Sequence, residues 1–549
     1  MTRAGWLLLA ALAMAPPAAA KKAPPPPEAP PAEGVRVEQV EGGRRVDAVL
    51  PGRLRGYALP RRADGSRDVV LLVGAVVPPP VPAGSEGQAA APCESGDLAE
   101  SARAAPTRLL RLDPSGNGTI EVLRDGLPAD ARGLDALDVD GDGVEELLLF
   151  LPGEIRAFHD ADGKRFGRGP EPLVKDASLG RGEPLPRIVR SPAGSGTVLP
   201  LATADGLRAF GRLADGRFGL LSSTPLPLSV RLETGGLHVA TPFVTEIGPG
   251  PSGAPMLASS GDGSTGDGAD DFDDGIRADR LRSILLDPLA GPERRAVECW
   301  SKLPARERIH ERIYRSMDGR PAMIVTTSRG DKLKIFGEKW LRVFLLEEDR
   351  TKAGKPPVLA ADIGAGLERR VVPSFLDANG DGRTDLVVAY WKGTDRDEVG
   401  LDAFLRREDG GFDAPARETT IEVKGGAGAV FSYGRDLDGD GSPDLVVLAR
   451  GKVLVFPGTK TAPTGKGIVS KAPRWTLSVP SFAPDSGALV PGLDGDDAAG
   501  EMRRRALGAP RSVDLDGDGR LEILLDAVLK DGRSAVVIFR LSAREERTL

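Results

Sequence analysis

Four stretches built to one pattern constrain this chain more than anything else in it. They are DVDGDGVEE from Asp138, DANGDGRTD from Asp377, DLDGDGSPD from Asp436 and DLDGDGRLE from Asp514. Each fits D-x-[DN]-G-D-G-x-x-[DE], with side-chain oxygens at positions 1, 3, 5 and 9, and each runs straight into β-formers such as DLVVAYW or EILLDAV. Carboxylates held within about 4–6 Å of one another repel, and one takes up a proton unless a cation intervenes. The side-chain donors are Asp138, Asp140, Asp142 and Glu146; Asp377, Asn379, Asp381 and Asp385; Asp436, Asp438, Asp440 and Asp444; and Asp514, Asp516, Asp518 and Glu522. Position 7 can add its backbone carbonyl, from Val144, Arg383, Ser442 and Arg520. A set made only of oxygens, without thiolate or imidazole, suits calcium, at about four sites.

An EF-hand begins in the same way but needs a glutamate at position 12 on a helix. Here position 12 is Leu149, Val388, Val447 or Leu525, inside an apolar run that reads as a buried strand. An Asp-Gly hairpin turn without metal would need only two polar residues. Four copies of the full ligand set favour calcium loops inside hairpins.

The same frame exposes a repeat. Weaker copies share the glycine of position 6 and a following strand, at Gly65, Gly196, Gly253 and Gly319. With Gly143, Gly382, Gly441 and Gly519 they make eight anchors, spaced by 78, 53, 57, 66, 63, 59 and 78 residues. A further strand recurs downstream, in EIRAF, GLRAF, KLKIF, GLDAF, KVLVF and VVIF, and then a polar turn such as DADGKRF, LADGRF or EDGGF. Each unit is therefore a four-stranded antiparallel meander. Such a sheet cannot bury both faces alone, and radial stacking of its copies makes a β-propeller. The expected fold is all-β, a propeller of eight blades, with seven as the alternative because the anchors at Gly196 and Gly253 are faint. The last blade supplies only three strands, so its outer strand is expected from VRVEQVEGGRRVDAVL near the N-terminus, which would close the ring. Seventy glycines, 47 prolines and 5% aromatics fit many turns and short strands.

Residues 1–20 read as a signal peptide: a basic start at Arg3, a short apolar core broken by Pro16 and Pro17, and Ala18-Ala19-Ala20 before Lys21. Residues 21–34 read as a stiff proline-rich spacer, and residues 35–549 as one propeller with loop insertions near 79–106 and 258–280. The protein is thus expected to be exported, periplasmic or secreted or at the cell surface, without membrane insertion and monomeric. A formal net charge of −7 gives no hint of a nucleic-acid partner.

On these loops and strands the chain resembles the FG-GAP/VCBS repeat family, whose propellers include the integrin α-chain head. The resemblance covers about residues 35 to 545. It implies a propeller rigidified by calcium, often on exported proteins that bind proteins or carbohydrates, and it implies no activity.

Two degenerate loops set a contrast. In LPRRADGSRD, positions 1 and 3 are Pro60 and Arg62, so a cation has moved in where ligands would sit. In YRSMDGRPAM, positions 1 and 9 are Tyr314 and Ala322. Both are expected to be plain turns.

Enzyme motifs are sparse. The three histidines are His159, His238 and His310; HERIY at His310 imitates H-E-x-x-H, but Tyr314 stands at the second ligand position. No G-x-S-x-G elbow or phosphate-binding loop is present. A polysaccharide hydrolase or lyase remains the alternative to a scaffold that binds a protein or glycan through its loops, since carboxylates abound. Cys93 and Cys299 are too far apart in the repeat frame for pairing to follow from sequence. The acidic stretch SSGDGSTGDGADDFDDG reads as a solvated loop.

Overall fold

The second strand of each repeat unit reads as an unbroken apolar run because both of its faces are buried, one against each neighbouring blade. In Asp385–Lys392, Leu386, Val388 and Tyr390 pack toward one neighbour, while Val387, Ala389 and Trp391 pack toward the other. The period of two thus sorts a continuous apolar sequence onto two seams.

The computed structural model describes the chain from residue 33 to 541, apart from residues 75–106, 261–275, 480–510 and shorter connecting stretches. Residues Glu33–Leu549 make one unit, distinct from Met1–Ala32. Within it the eight expected blades form a ring of antiparallel sheets, each begun by its innermost strand. The innermost strands are Arg53–Ala58, Gly133–Leu137, Arg187–Ile188, Val244–Pro249, Arg308–Met317, Val371–Leu376, Val430–Arg435 and Arg511–Val513, numbered here as blades 1 to 8. Every anchor glycine falls between the first and second strands of a blade; Gly196 and Gly253 themselves lie outside the described residues. No helix occurs among the described residues.

Eight apolar clusters fill eight seams. One joins blade 8 to blade 1 through Leu515, Leu524 and Ile538 against Leu54, Leu71 and Leu110, so the ring is closed by a packed core. The seam between blades 6 and 7 is fastened by Trp391 edge-on to Phe431, with ring centroids 5.5 Å apart. Each fully buried Leu, Val or Phe contributes about 1.5–3 kcal/mol relative to exposure, so the seams carry most of the stabilisation.

Closure takes the expected route with one more strand than expected. The N-terminal segment folds into a hairpin, Gly34–Val40 with Gly43–Val49. Its second arm pairs with Ser534–Leu541 from Gly43↔Leu541 to Val49↔Ala535, supplying the fourth strand of blade 8, and its first arm adds a fifth. Arg45, 8% exposed, binds Asp47 and Glu38 and donates to the Ser478 carbonyl of blade 7 at 2.6 Å.

Three further details depart from the sequence reading. The segment between the second and third strands of blade 4 sends Ile276–Arg277 to pair with Arg308–Met317, so in blade 5 alone a fifth, two-residue strand lies beyond the one counted above as innermost. A two-stranded hairpin, Ser229–Glu233 with Gly236–Ala240, separates blades 3 and 4 in sequence. KLKIF lies outside the described residues, and the third strand of blade 5 is Glu338–Leu345, whereas the other five quoted strands take third place in their blades as expected.

Candidate metal centres

Each full loop joins the first strand of its blade to the second, and its backbone is wound around its own carboxylates. The first aspartate accepts two backbone N–H groups, those of positions 4 and 6: Asp138 from Gly141 and Gly143 at 2.6 and 3.0 Å, Asp436 from Gly439 and Gly441 at 2.8 and 2.7 Å. Asp377 and Asp514 do the same. Both glycines stand at φ between 76° and 88° in every full loop, a region L side chains avoid, which explains glycine at both positions. Position 3 (Asp140, Asn379, Asp438, Asp516) accepts the N–H of position 5, at 3.0 to 3.3 Å. Position 5 (Asp142, Asp381, Asp440, Asp518) accepts the N–H of position 7, Val144, Arg383, Ser442 or Arg520, at 2.7 to 2.9 Å.

Position 9 opens the second strand and is buried. Glu146, Asp385, Asp444 and Glu522 are 6%, 0%, 1% and 4% exposed, and each accepts the N–H of position 2 at 2.7 to 3.0 Å. The local hydrogen bonds therefore aim several carboxylates at one point. In blades 2, 7 and 8 the oxygens of positions 1, 3 and 9 lie within 4.8 Å of one another: Asp138, Asp140 and Glu146; Asp436, Asp438 and Asp444; Asp514, Asp516 and Glu522. Burial, together with the charge of the neighbouring carboxylates, pushes Glu146, Asp444 and Glu522 up to about 7, and Asp385 up from the ordinary aspartate value. Three converging oxygens on a preformed loop are a donor set that a hard divalent ion fits.

Blade 6 is built somewhat differently. Asn379 replaces the second carboxylate and donates its Nδ2–H to Asp381 at 3.0 Å, while Arg383 holds Asp381 at 2.8 and 3.1 Å. The guanidinium of Arg383 pulls Asp381 down to about 2.

Arginines that no local motif announces attend the loops. Arg474, just before the outer strand of blade 7, reaches Asp438 at 2.8 Å; Arg540, on the third strand of blade 8, reaches Asp516 at 2.8 Å and Glu522 at 3.7 Å. His159 Nδ1 stands 3.9 Å from Glu146. These partners come from a later strand of the same blade, so only the blade register could have revealed them.

The degenerate loops behave differently from each other. In blade 5, Asp318 and Gly319 form a two-residue turn at φ 48° and 72° between paired Met317 and Arg320, as expected of a plain hairpin. Asp318 there forms an ion pair with Arg406 of blade 6. In blade 1 the loop keeps more of the parent geometry: Asp64 still accepts the N–H of Ser66 at 2.9 Å, and the position-9 carboxylate, Asp68, is fully buried.

Other sequence candidates resolve simply. His310 and Tyr314 belong to the extended innermost strand of blade 5, not to a helix, and Tyr314 is buried against Ser283 at 3.1 Å. His238 lies in the extra hairpin. Cys299 is buried on the outer strand of blade 4, and Cys93 lies outside the described residues. Between blades 8 and 1, Arg511 lies over the Tyr57 ring at 4.8 Å, near Asp526. Burial pushes Asp526 up to about 7.

Compared with known families, residues 377–447 match the FG-GAP-like repeat. The matched stretch begins at Asp377 and ends in the second strand of blade 7, so it holds two of the four full loops and the strands between them. The chain therefore carries an FG-GAP-like repeat, as its loops imply, on a β-propeller scaffold. No curated protein matches the chain. Among solved structures, one from Bacteroides fragilis NCTC 9343, described as a candidate 6-phosphogluconolactonase, is 14% identical. It covers 68% of this chain and 91% of that one at a TM-score of 0.29.

Proposed function

We propose that this protein is an exported β-propeller scaffold, stabilised by calcium in blades 2, 6, 7 and 8, that binds a protein or glycan partner through its loops. The observation that carries the calcium reading is the convergence of three carboxylate oxygens within 4.8 Å in blades 2, 7 and 8, with the backbone hydrogen bonds already made. A bound ion would supply the positive charge those groups lack. The residues do the rest: the position-1 aspartates hold the loop closed, and the position-9 groups anchor it to the second strand. In blade 6, Asp377, Asn379 and Asp385 are the side chains left to hold the ion when Arg383 keeps Asp381. Export rests on the signal-like first 20 residues, and the described residues contain no helix long and apolar enough to cross a membrane. Partner binding rests on the fold: propellers present loops on rigid blades, and the four candidate ions lie at the first-to-second-strand end of the blades.

The test is a glycan array and a pull-down from an extracellular fraction, each run in calcium and in chelator. Calcium-dependent capture of a defined glycan or protein supports the reading. Cleavage of a polysaccharide on incubation would overturn it in favour of a hydrolase or lyase.

A further inference from the structure

Blade 1 holds the same loop as its neighbours with the charges exchanged. Aligned on the anchor glycine, Arg62 stands where Asp140, Asn379, Asp438 and Asp516 stand in the full loops, and Asp68 stands where Glu146, Asp385, Asp444 and Glu522 stand. Asp68 is fully buried, as its counterparts nearly are. Its oxygens are taken by arginines: Arg62 Nε at 3.2 Å, with a second, shorter contact from the same guanidinium, and Arg165 Nε at 2.9 Å. Arg165 comes from the start of the outer strand of blade 2, Lys164–Lys175, so the second cation crosses the seam. Burial pushes the Asp68 carboxyl up, but the hydrogen bonds and charge of these two arginines outweigh it and hold it below its ordinary value.

The loop is tied into the ring on both sides. Toward blade 2, Arg61 N donates to Glu145 at 2.8 Å, Glu145 N donates to the Arg61 carbonyl at 3.1 Å, and Arg165 donates to both carbonyls at 3.1 and 3.2 Å. Toward blade 8, Arg67 N donates to the Leu515 carbonyl at 2.8 Å, inside a full loop. Blade 1 therefore sits between two loops assigned to calcium.

We propose that the Arg62 guanidinium replaces the metal ion in blade 1, giving this blade a covalently attached cation so that its own loop needs no metal. Arg165 is the second positioning residue. The inference rests on the calcium reading of the other loops only for what Arg62 replaces; the charge pairing itself stands without it.

The experiment compares Arg62→Met, Asp68→Asn and the double variant with the full-length parent, by melting temperature in calcium and in chelator. Arg62→Met leaves a buried carboxylate with half its compensation, a loss of about 2–4 °C for a propeller of this size. The loss is expected to be the same in calcium and in chelator, and Asp68→Asn in the Arg62→Met background is expected to restore at least half of it. If Arg62→Met melts with the parent, or if added calcium restores it, the proposal is overturned. Hydrogen exchange of the parent in chelator adds a readout that a merely structural ion pair would not move. Protection is expected to fall in Asp444–Ala449 of blade 7 and to persist in Val69–Gly74 of blade 1; equal loss in both strands contradicts the proposal. A parent that binds no calcium defeats the functional reading alone, because the rescue by Asp68→Asn is read in chelator.

Discussion

Replacing Glu522 by glutamine should change sign with calcium. Glu522 is 4% exposed, accepts the Leu515 N–H at 2.7 Å, and has an oxygen within 4.8 Å of those of Asp514 and Asp516. Glutamine preserves the shape and can still accept from Leu515, so the change is one of charge. In chelator at pH 8, the three carboxylates repel one another, and burial of Glu522 has already pushed it up to about 7. Neutralising it relieves that repulsion, so Glu522→Gln should melt at or above the parent. In calcium the same change removes a ligand. An ion present at 100 times its Kd stabilises the folded state by about 2.7 kcal/mol, and a site weakened about 100-fold loses most of that. Unfolding entropy is about 2.1 cal/mol/K per residue, or roughly 1 kcal/mol/K for the unit Glu33–Leu549. The loss in calcium is therefore about 2 °C, which differential scanning calorimetry resolves. A variant that shifts the melting temperature by the same amount and sign in both buffers would refute the reasoning.

Asp318→Ala removes the ion pair with Arg406 but no candidate ligand, so whatever stability it costs should be equal in calcium and in chelator by the same calorimetry. Deleting residues 34–49 strips the hairpin from Ser534–Leu541 and removes Val46 and Ala48 from the closing seam; light scattering should show aggregation through the bared edge. Asp526 has its folded pKa raised by burial to about 7 from an ordinary 3.8, so the folded state binds a proton that the unfolded state has released. Its contribution is fully present below about pH 4 and lost as pH rises through about 7. Asp526→Asn should flatten the fall in stability between those values in denaturant titrations and be more stable than the parent at pH 8.

The ring was legible in the sequence because two local signals coincide in every unit: a turn glycine and an apolar run buried on both faces. Even the faint anchors at Gly196 and Gly253 mark real blades, since their flanking strands Val198–Thr203 and Pro255–Ser260 take second place in their sheets. The second closing strand was not legible, because nothing in VRVEQVEGGRRVDAVL marks that it divides into two paired arms, ending at Val40 and beginning again at Gly43. Nor was the crossing of Ile276–Arg277 to blade 5, which depends on tertiary pairing of two residues. At the loops the carboxylates were visible from their spacing. Arg165, Arg474 and Arg540 were not, since each reaches its partner from a later strand or a neighbouring blade. The degenerate loop of blade 1 shows the same limit: spacing revealed that ligands were missing, and only the fold revealed that a buried carboxylate stayed behind with two arginines.

The central claim is that calcium is a structural part of the blades. Calorimetry of the parent in calcium and in chelator, with magnesium as a third condition, tests it most directly. Four ions at about 2.7 kcal/mol each correspond to a fall of about 10 °C on chelation, poorly reversed by magnesium, which prefers a tight six-coordinate shell. The same melting temperature in calcium and in chelator would contradict the account.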